Sequence, residues 1–147
     1  MGKLNYLEKT SRPDIAYAVH QCARYSTNPR RLHTQVVIYL AKYLKGTRND
    51  GIVLDPQREE GVVVFADADW SGNWNIQEAE DDEATAKSRT GFVVMFARCI
   101  ILFASKIQSL VALSTTEAEY ISLSQSLRET IPIMHILDEV RQYTLFS

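Results

Sequence analysis

At 147 residues, with 46% hydrophobic and 10% aromatic residues, the chain has apolar material for one folded domain, or one domain with a small appendage. No run approaches the roughly 18–20 apolar residues that span a bilayer, the opening MGKLNYLEKTSRPD has no apolar core of a secretory leader, and Tyr6 stands where a myristoylation signal needs Ser or Thr, so no membrane partner is expected. The net charge of −2 conceals an asymmetry, because residues 1–57 carry nine Lys or Arg against four Asp or Glu, and residues 58–147 carry seven against fourteen.

A basic front suits phosphates and an acidic back does not, so the two parts are expected to have different partners. Ordinary solvated helix faces would give the same balance. Cys22 and Cys99 lie far apart without a pairing pattern and are expected as buried reduced thiols, which points to an intracellular protein.

In chain order, the first part reads as two helices. Ser11 is placed to cap the first, with Asp14 three residues on and Pro13 in the first turn, where its missing N–H costs nothing. Ile15, Val19 and Cys22 or Ala23 then share a face. Asn28-Pro29 restarts the chain as N-cap and first helical position, Leu32, Val36, Leu40 and Tyr43 repeat at helical spacing, and Gly46 stands at the end. The expectation is a helical hairpin. Gly51–Leu54 is a short strand candidate, closed by Asp55-Pro56. Gly61–Ala66 is β-branched and apolar, the composition of a buried strand.

Residues 73–88 are polar and acidic (Glu78, Glu80, Asp81, Asp82, Glu83) and read as a mobile loop. Thr90–Ala97 and Ile100–Ala104 read as a hairpin reversing at Arg98-Cys99, and Ser109–Leu113 as an extension of the sheet edge. Ser114-Thr115-Thr116-Glu117 is a capping box. The helix behind it has Ala118, Ile121 and Leu127 on its inner side and is expected to break or kink at Pro132. A second amphipathic helix follows, with Ile133, Ile136, Leu137 and Val140 inside. This order of elements gives a mixed α/β architecture.

Chemistry concentrates at the end of the strand in GVVVFA. Asp67 and Asp69 alternate with Ala68 and share a strand face if the strand continues that far. Carboxylates at a strand end sit where ligands bind in α/β sheets, and they suit hard cations such as Mg²⁺. Solvated strand-end acids are the bland alternative. Glu119, early in the later helix, meets Asp67 if that helix packs across the strand, and the pair is then half of a site holding two ions about 4 Å apart. Glu117 competes, but its capping role keeps it away. His20, His33 and His135 do not cluster. Trp70 and Trp74 flank Gly72, placed to pack on the sheet or to stack on nucleic acid.

The run SRPDIAYAVHQCARYSTNP…YLAKYLKGT…FADADWSG…SRTGFVV…SKIQSLVALSTTEAEYISLS resembles the Ty1/copia retrotransposon Pol polyprotein along nearly the whole chain, at the end of its reverse transcriptase and the start of its RNase H domain. The phrases SRPDIAYAV, YLKGT, DADW and STTEAEY occur in the family's order and spacing. The resemblance implies a connection segment over residues 1–57 and a partial RNase H-like domain over 58–147, with a mixed sheet whose first three strands are antiparallel. It implies hydrolysis of the RNA strand of an RNA:DNA hybrid with Mg²⁺ or Mn²⁺, in the cytoplasm (within a virus-like particle) or the nucleus, beside the remainder of the reverse transcriptase.

Asp67 matches the family's first catalytic Asp and Glu119 its catalytic Glu, both as metal ligands, while Asp69 is a supporting acid. Arg30, Arg31, Lys42 and Lys45 are the candidates for contact with the hybrid. The family's third catalytic Asp, in an Asp-Asn-Gln-like phrase, and a fourth acid are not reached before Ser147, where Tyr143–Ser147 stands at the approach. The acidic spacer is also longer than usual in the family. The expectation is therefore a catalytically incomplete RNase H module with an open sheet edge. A non-catalytic module that binds nucleic acid or pairs with a second copy through that edge is the alternative. An actin-like ATPase half shares the strand-end Asp, but the glycine-rich phosphate turns it needs are lacking.

Overall fold

Helices make up the first of two units, Met1–Leu54, and a sheet with one long helix makes up the second, Asp55–Ser147. The computed structural model describes residues 1–57, 60–72, 74–76 and 82–145.

The first unit holds α1 (Gly2–Thr10), a 3-10 turn (Pro13–Ile15), α2 (Ala16–Arg24) and α3 (Arg31–Gly46). It is thus one helix richer than the expected hairpin. Ser11 ends α1, its N–H donating to the Leu7 carbonyl at 3.0 Å, and so does not cap the next helix. Asp14 is held by Arg12 and does not reach back to a cap amide. Asn28-Pro29 lies ahead of α3, whose N-cap is Arg30; the imidazole of His33 accepts the Arg30 N–H at 3.0 Å and fixes the start there. Ile15, Val19 and Cys22 are buried as their spacing requires. Of the repeat expected in α3 only Leu40 is buried, while Leu32, Val36 and Tyr43 are exposed. The half-buried neighbours at Val37 and Leu44 show that α3 turns a different stripe to the core of Ile15, Val19 and Leu40.

In the second unit β1 (Val62–Asp69), β2 (Arg89–Phe96) and β3 (Cys99–Ile107) form an antiparallel sheet in the order β1-β2-β3. Neither Gly51–Leu54 nor Ser109–Leu113 is a strand; Val53 and Leu54 are exposed, and residues 108–114 form the connection to the last helix. The hairpin turns at Ala97-Arg98, one residue earlier than expected. Both have positive φ, 49° and 66°, as a two-residue primed turn demands, and neither is glycine. Gln57 and Glu60 bond to this turn, the Gln57 N–H donating to the Ala97 carbonyl at 2.9 Å and the Ala97 N–H to the Glu60 carbonyl at 3.1 Å. Arg98→Gly is expected to raise stability by about 1 kcal/mol, because a side chain in the left-handed region costs about 1–2 kcal/mol and glycine's extra unfolded freedom returns part of that. Urea unfolding checks it.

Of the acidic segment 73–88, residues 73 and 77–81 lie outside the described residues, so the expectation of a mobile loop there stands aside. Residues 82–88 of it are structured. Asp82 accepts the Ala84 N–H at 3.0 Å and starts a 3-10 turn, Glu83–Ala86, with Thr85 and Ser88 buried.

The final helix, α4 (Thr115–Leu145), runs 31 residues and continues through Pro132, where a break or kink was expected. Pro132 is exposed, so water can take the carbonyl that loses its N–H partner. The inner face also differs from the apolar one expected. Ala118, Ser122, Ser126 and Thr130, four residues apart, are all buried, whereas Leu127, Ile136 and Val140 are exposed and Ile121, Ile133 and Leu137 half-buried. Small side chains let the helix lie close on β1 and β2. The second unit is an α/β fold whose three antiparallel strands and helix fit the opening of an RNase H-like domain. Among the described residues no helix is long and apolar enough to cross a membrane.

Candidate functional site

The apolar run Val62–Phe65 carries β1 into the sheet, and the strand continues through Asp67 to Asp69. Val64, Ala66 and Ala68 pair with Val94, Phe92 and Thr90, and these three β2 residues are buried under α4. Alternation therefore puts Asp67 and Asp69 on the opposite face with Val63 and Phe65, across from Gly91 and Arg89. Both carboxylates are exposed. β1 is also the edge strand of the described sheet, so a group on α4 reaches Asp67 by passing over that edge.

Four hydrogen bonds, from the side chains of Ser122, Trp70 and Gln108, hold the start of α4 and the connection before it to the sheet. The Ser122 hydroxyl donates to the Asp67 carbonyl at 2.6 Å. Trp70 Nε1 donates to the Ala112 carbonyl at 3.0 Å, and the Gln108 amide donates to Thr90 Oγ1 at 3.2 Å and to the Ala118 carbonyl at 2.9 Å. Glu119 follows Ala118, stands about one turn before Ser122, and is exposed. Glu117 is engaged elsewhere: its carboxylate accepts the Leu113 N–H at 2.7 Å while its own N–H donates to Ser114 Oγ at 3.1 Å. The capping box forms as expected, with the carboxylate on the amide one residue before the cap.

Asp69 folds back over the turn that follows it. A Cβ at Gly72 would fall on the Asp69 carboxylate, and Ser71 beside it has φ 48°. Gly72→Ala is expected to turn the exposed Asp69 side chain aside at a cost of about 0.5–1 kcal/mol. In an Asp69→Ala background the cost should vanish, and a double-mutant cycle on urea midpoints measures the difference.

Asp67 on β1 and Glu119 on α4 are exposed and carry carboxylate oxygens, hard donors of the type that Mg²⁺ and Mn²⁺ take alongside water. Among the described residues no group of three or more His, Cys, Asp or Glu gathers as a metal site. The histidines serve elsewhere: His20 pairs with buried Glu8 at 3.3 Å, His33 caps α3, and His135 is exposed. Cys22 is buried and its thiol is pushed up by desolvation, and Cys99 is half-buried; both are free. Arg30, Arg31, Lys42 and Lys45 are exposed on the first unit. Lys42 and Lys45 lie about three and four turns beyond Arg31, so these three share one face of α3.

Comparison with known proteins gives several relatives. The chain is 36% identical to the retrovirus-related Pol polyprotein from transposon TNT 1-94 of Nicotiana tabacum over 95% of its length, and 35% identical to that from transposon RE1 of Arabidopsis thaliana over 95%. It is 30% identical to the secreted RxLR effector protein 161 of Plasmopara viticola over 89% of its length and 86% of that protein's. Over 95% of its length the chain is homologous to the retrovirus-related Pol polyproteins of these plant transposons. It spans 10% of the TNT 1-94 polyprotein and 9% of the RE1 polyprotein. No family model and no solved structure matches it.

Sequence reasoning missed Ser122 and Gln108 in this Pol segment. The signal was present: Ala118, Ser122, Ser126 and Thr130 recur every four residues, and a stripe of small residues is as much a packing face as a stripe of large ones.

Proposed function

We propose that this Pol segment is the junction of reverse transcriptase and RNase H, with residues 1–57 as the connection segment and 58–147 as the opening of a domain that hydrolyses the RNA strand of RNA:DNA hybrids. The observation that carries the reading is the Ser122–Asp67 bond, which draws the turn holding Glu119 onto the strand holding Asp67. Asp67 from one face of an edge strand and Glu119 from the helix on the other are the groups that would hold Mg²⁺ or Mn²⁺. When bound, such an ion lowers the pKa of a coordinated water and steadies the oxygen leaving phosphorus. The chain's own residues orient the two carboxylates: Ser122, Gln108 and Trp70 fix the helix, and Glu117 is kept at the cap. Arg31, Lys42 and Lys45 offer a row of charges for the hybrid's phosphates, next to the remainder of the reverse transcriptase. Since no group of three or more His, Cys, Asp or Glu gathers among the described residues, cutting by this chain alone is expected to be slow.

A labelled RNA:DNA hybrid incubated with the chain in Mn²⁺ tests this. Cleavage confined to the RNA strand supports it. Salt-sensitive binding with no cleavage, the fold intact, favours the non-catalytic module, which the free edge of β1 and the basic face of α3 also suit. In that case removing the charges at Arg31, Lys42 and Lys45 should flatten the salt dependence of hybrid binding.

A further inference from the structure

The buried stripe of α4 contains three hydroxyls in the same setting, and one behaves differently. Ser126 Oγ donates to the Leu123 carbonyl at 2.8 Å and Thr130 Oγ1 to the Ser126 carbonyl at 2.7 Å, so both are satisfied inside their own helix. Ser122, 1% exposed, donates instead to the strand carbonyl of Asp67 at 2.6 Å. Gln108, also 1% exposed, grips the Ala118 carbonyl immediately before Glu119, and its own Oε1 has no hydrogen-bond partner among the described residues. A buried amide oxygen left unpaired lowers stability, and an apolar side chain of similar shape would avoid that. Two buried polar side chains thus hold the turn containing Glu119 from either side, one anchored on β1 and one on β2 through Thr90.

We propose that Ser122 and Gln108 are positioning residues: they set how far along β1 the Glu119 carboxylate sits from Asp67, and so set the affinity of the pair for a divalent ion. This rests on the reading of Asp67 and Glu119 as metal ligands. Neither Ser122 nor Gln108 touches the ion. Supports one step removed from metal ligands typically change affinity 10- to 100-fold when lost.

The test is Mn²⁺ titration calorimetry, with urea unfolding in parallel, on the unaltered chain, Ser122→Ala, Ser122→Thr, Gln108→Met and Ser126→Ala. Ser122→Ala and Gln108→Met should each weaken Mn²⁺ binding about tenfold, and Ser122→Thr should bind like the unaltered chain. Ser126→Ala removes an equally buried hydroxyl that bonds only within the helix, and it should leave Mn²⁺ affinity unchanged. If Ser122→Ala does not fold, Ser122→Cys, with nearly the same volume and a weaker donor, replaces it. Equal effects of Ser122→Ala and Ser126→Ala, or no effect of either, overturn the proposal while sparing the metal ligands. Failure of the unaltered chain to bind Mn²⁺ overturns the ligand reading itself, and this proposal with it.

Discussion

Replacing Asp67 by Asn is expected to lower Mn²⁺-dependent cutting of an RNA:DNA hybrid at least about a hundredfold, the scale on which removal of a group that stabilises the transition state acts. The fold should not change. Asp67 is exposed, and its structural bonds run through its main chain, to β2 opposite Gly91 and to the Ser122 hydroxyl. Asn keeps that backbone and removes the charge. Glu119→Gln should behave the same way, because its side chain is exposed. Glu117→Gln, only two residues away, should do the reverse. It weakens the bond to the Leu113 N–H and so costs about 0.5–1 kcal/mol of stability, with cutting unchanged. Circular dichroism melts and a gel assay on the three variants separate the cap from the site.

The second large effect belongs to the first unit. Arg12 is the point where the phrase SRPD meets the phrase YLKGT. Its guanidinium donates to Asp14 from Nε at 2.9 Å and from Nη2 at 2.7 Å. It also donates to the Thr47 carbonyl at 3.0 Å and to Thr47 Oγ1 at 2.7 Å, and it lies over the Tyr43 ring, whose hydroxyl donates to Asp14 at 2.9 Å. Arg12→Ala is expected to lower the stability of this unit by about 2–3 kcal/mol. The figure stays below that for a fully buried pair because the Asp14 side chain is 38% exposed and water replaces part of what it loses. Arg12→Lys should recover less than half, since an ammonium cannot serve Asp14 and Thr47 together. Urea unfolding of the variants reads both.

Acid should find the same weak point. The Arg12 guanidinium, first by its hydrogen bonds, holds the Asp14 carboxyl below the usual carboxylate range, while Asp14 pushes the Tyr43 hydroxyl up. A depressed folded-state pKa contributes stability that is present above the unfolded value of about 3.9 and is lost as pH falls through the folded value. Unit 1 of the unaltered chain should therefore lose stability below about pH 4. In Asp14→Asn that part of the loss is absent.

The α/β class, the three strands and the helix over STTEAEY were legible in the sequence, because valine-rich runs and capping boxes act locally. Three other features were hidden for identifiable reasons. The helix Gly2–Thr10 buries little and shows no apolar stripe, so nothing in its pattern announced it. Pro132 looked like a break because propensity weighs the lost hydrogen bond and not the solvent that replaces it. The inner face of α4 is made of Ala, Ser and Thr, so a search for large apolar residues found Leu127, Ile136 and Val140, which are exposed. At the candidate site, Asp67, Asp69 and Glu119 were named from the strand end and the resemblance. Ser122 belongs to the four-residue repeat of small side chains, whereas Gln108 acts through three-dimensional contacts that no local motif encodes.

We propose that Asp67 on β1 and Glu119 on α4 hold one divalent ion between them. Mn²⁺ titration calorimetry on the unaltered chain, Asp67→Asn, Glu119→Gln and the double variant addresses it directly. The account predicts one ion bound by the unaltered chain, its affinity lowered at least about tenfold by either single substitution, and little further loss in the double variant. Undiminished binding in either single variant, or none in the unaltered chain, would contradict it.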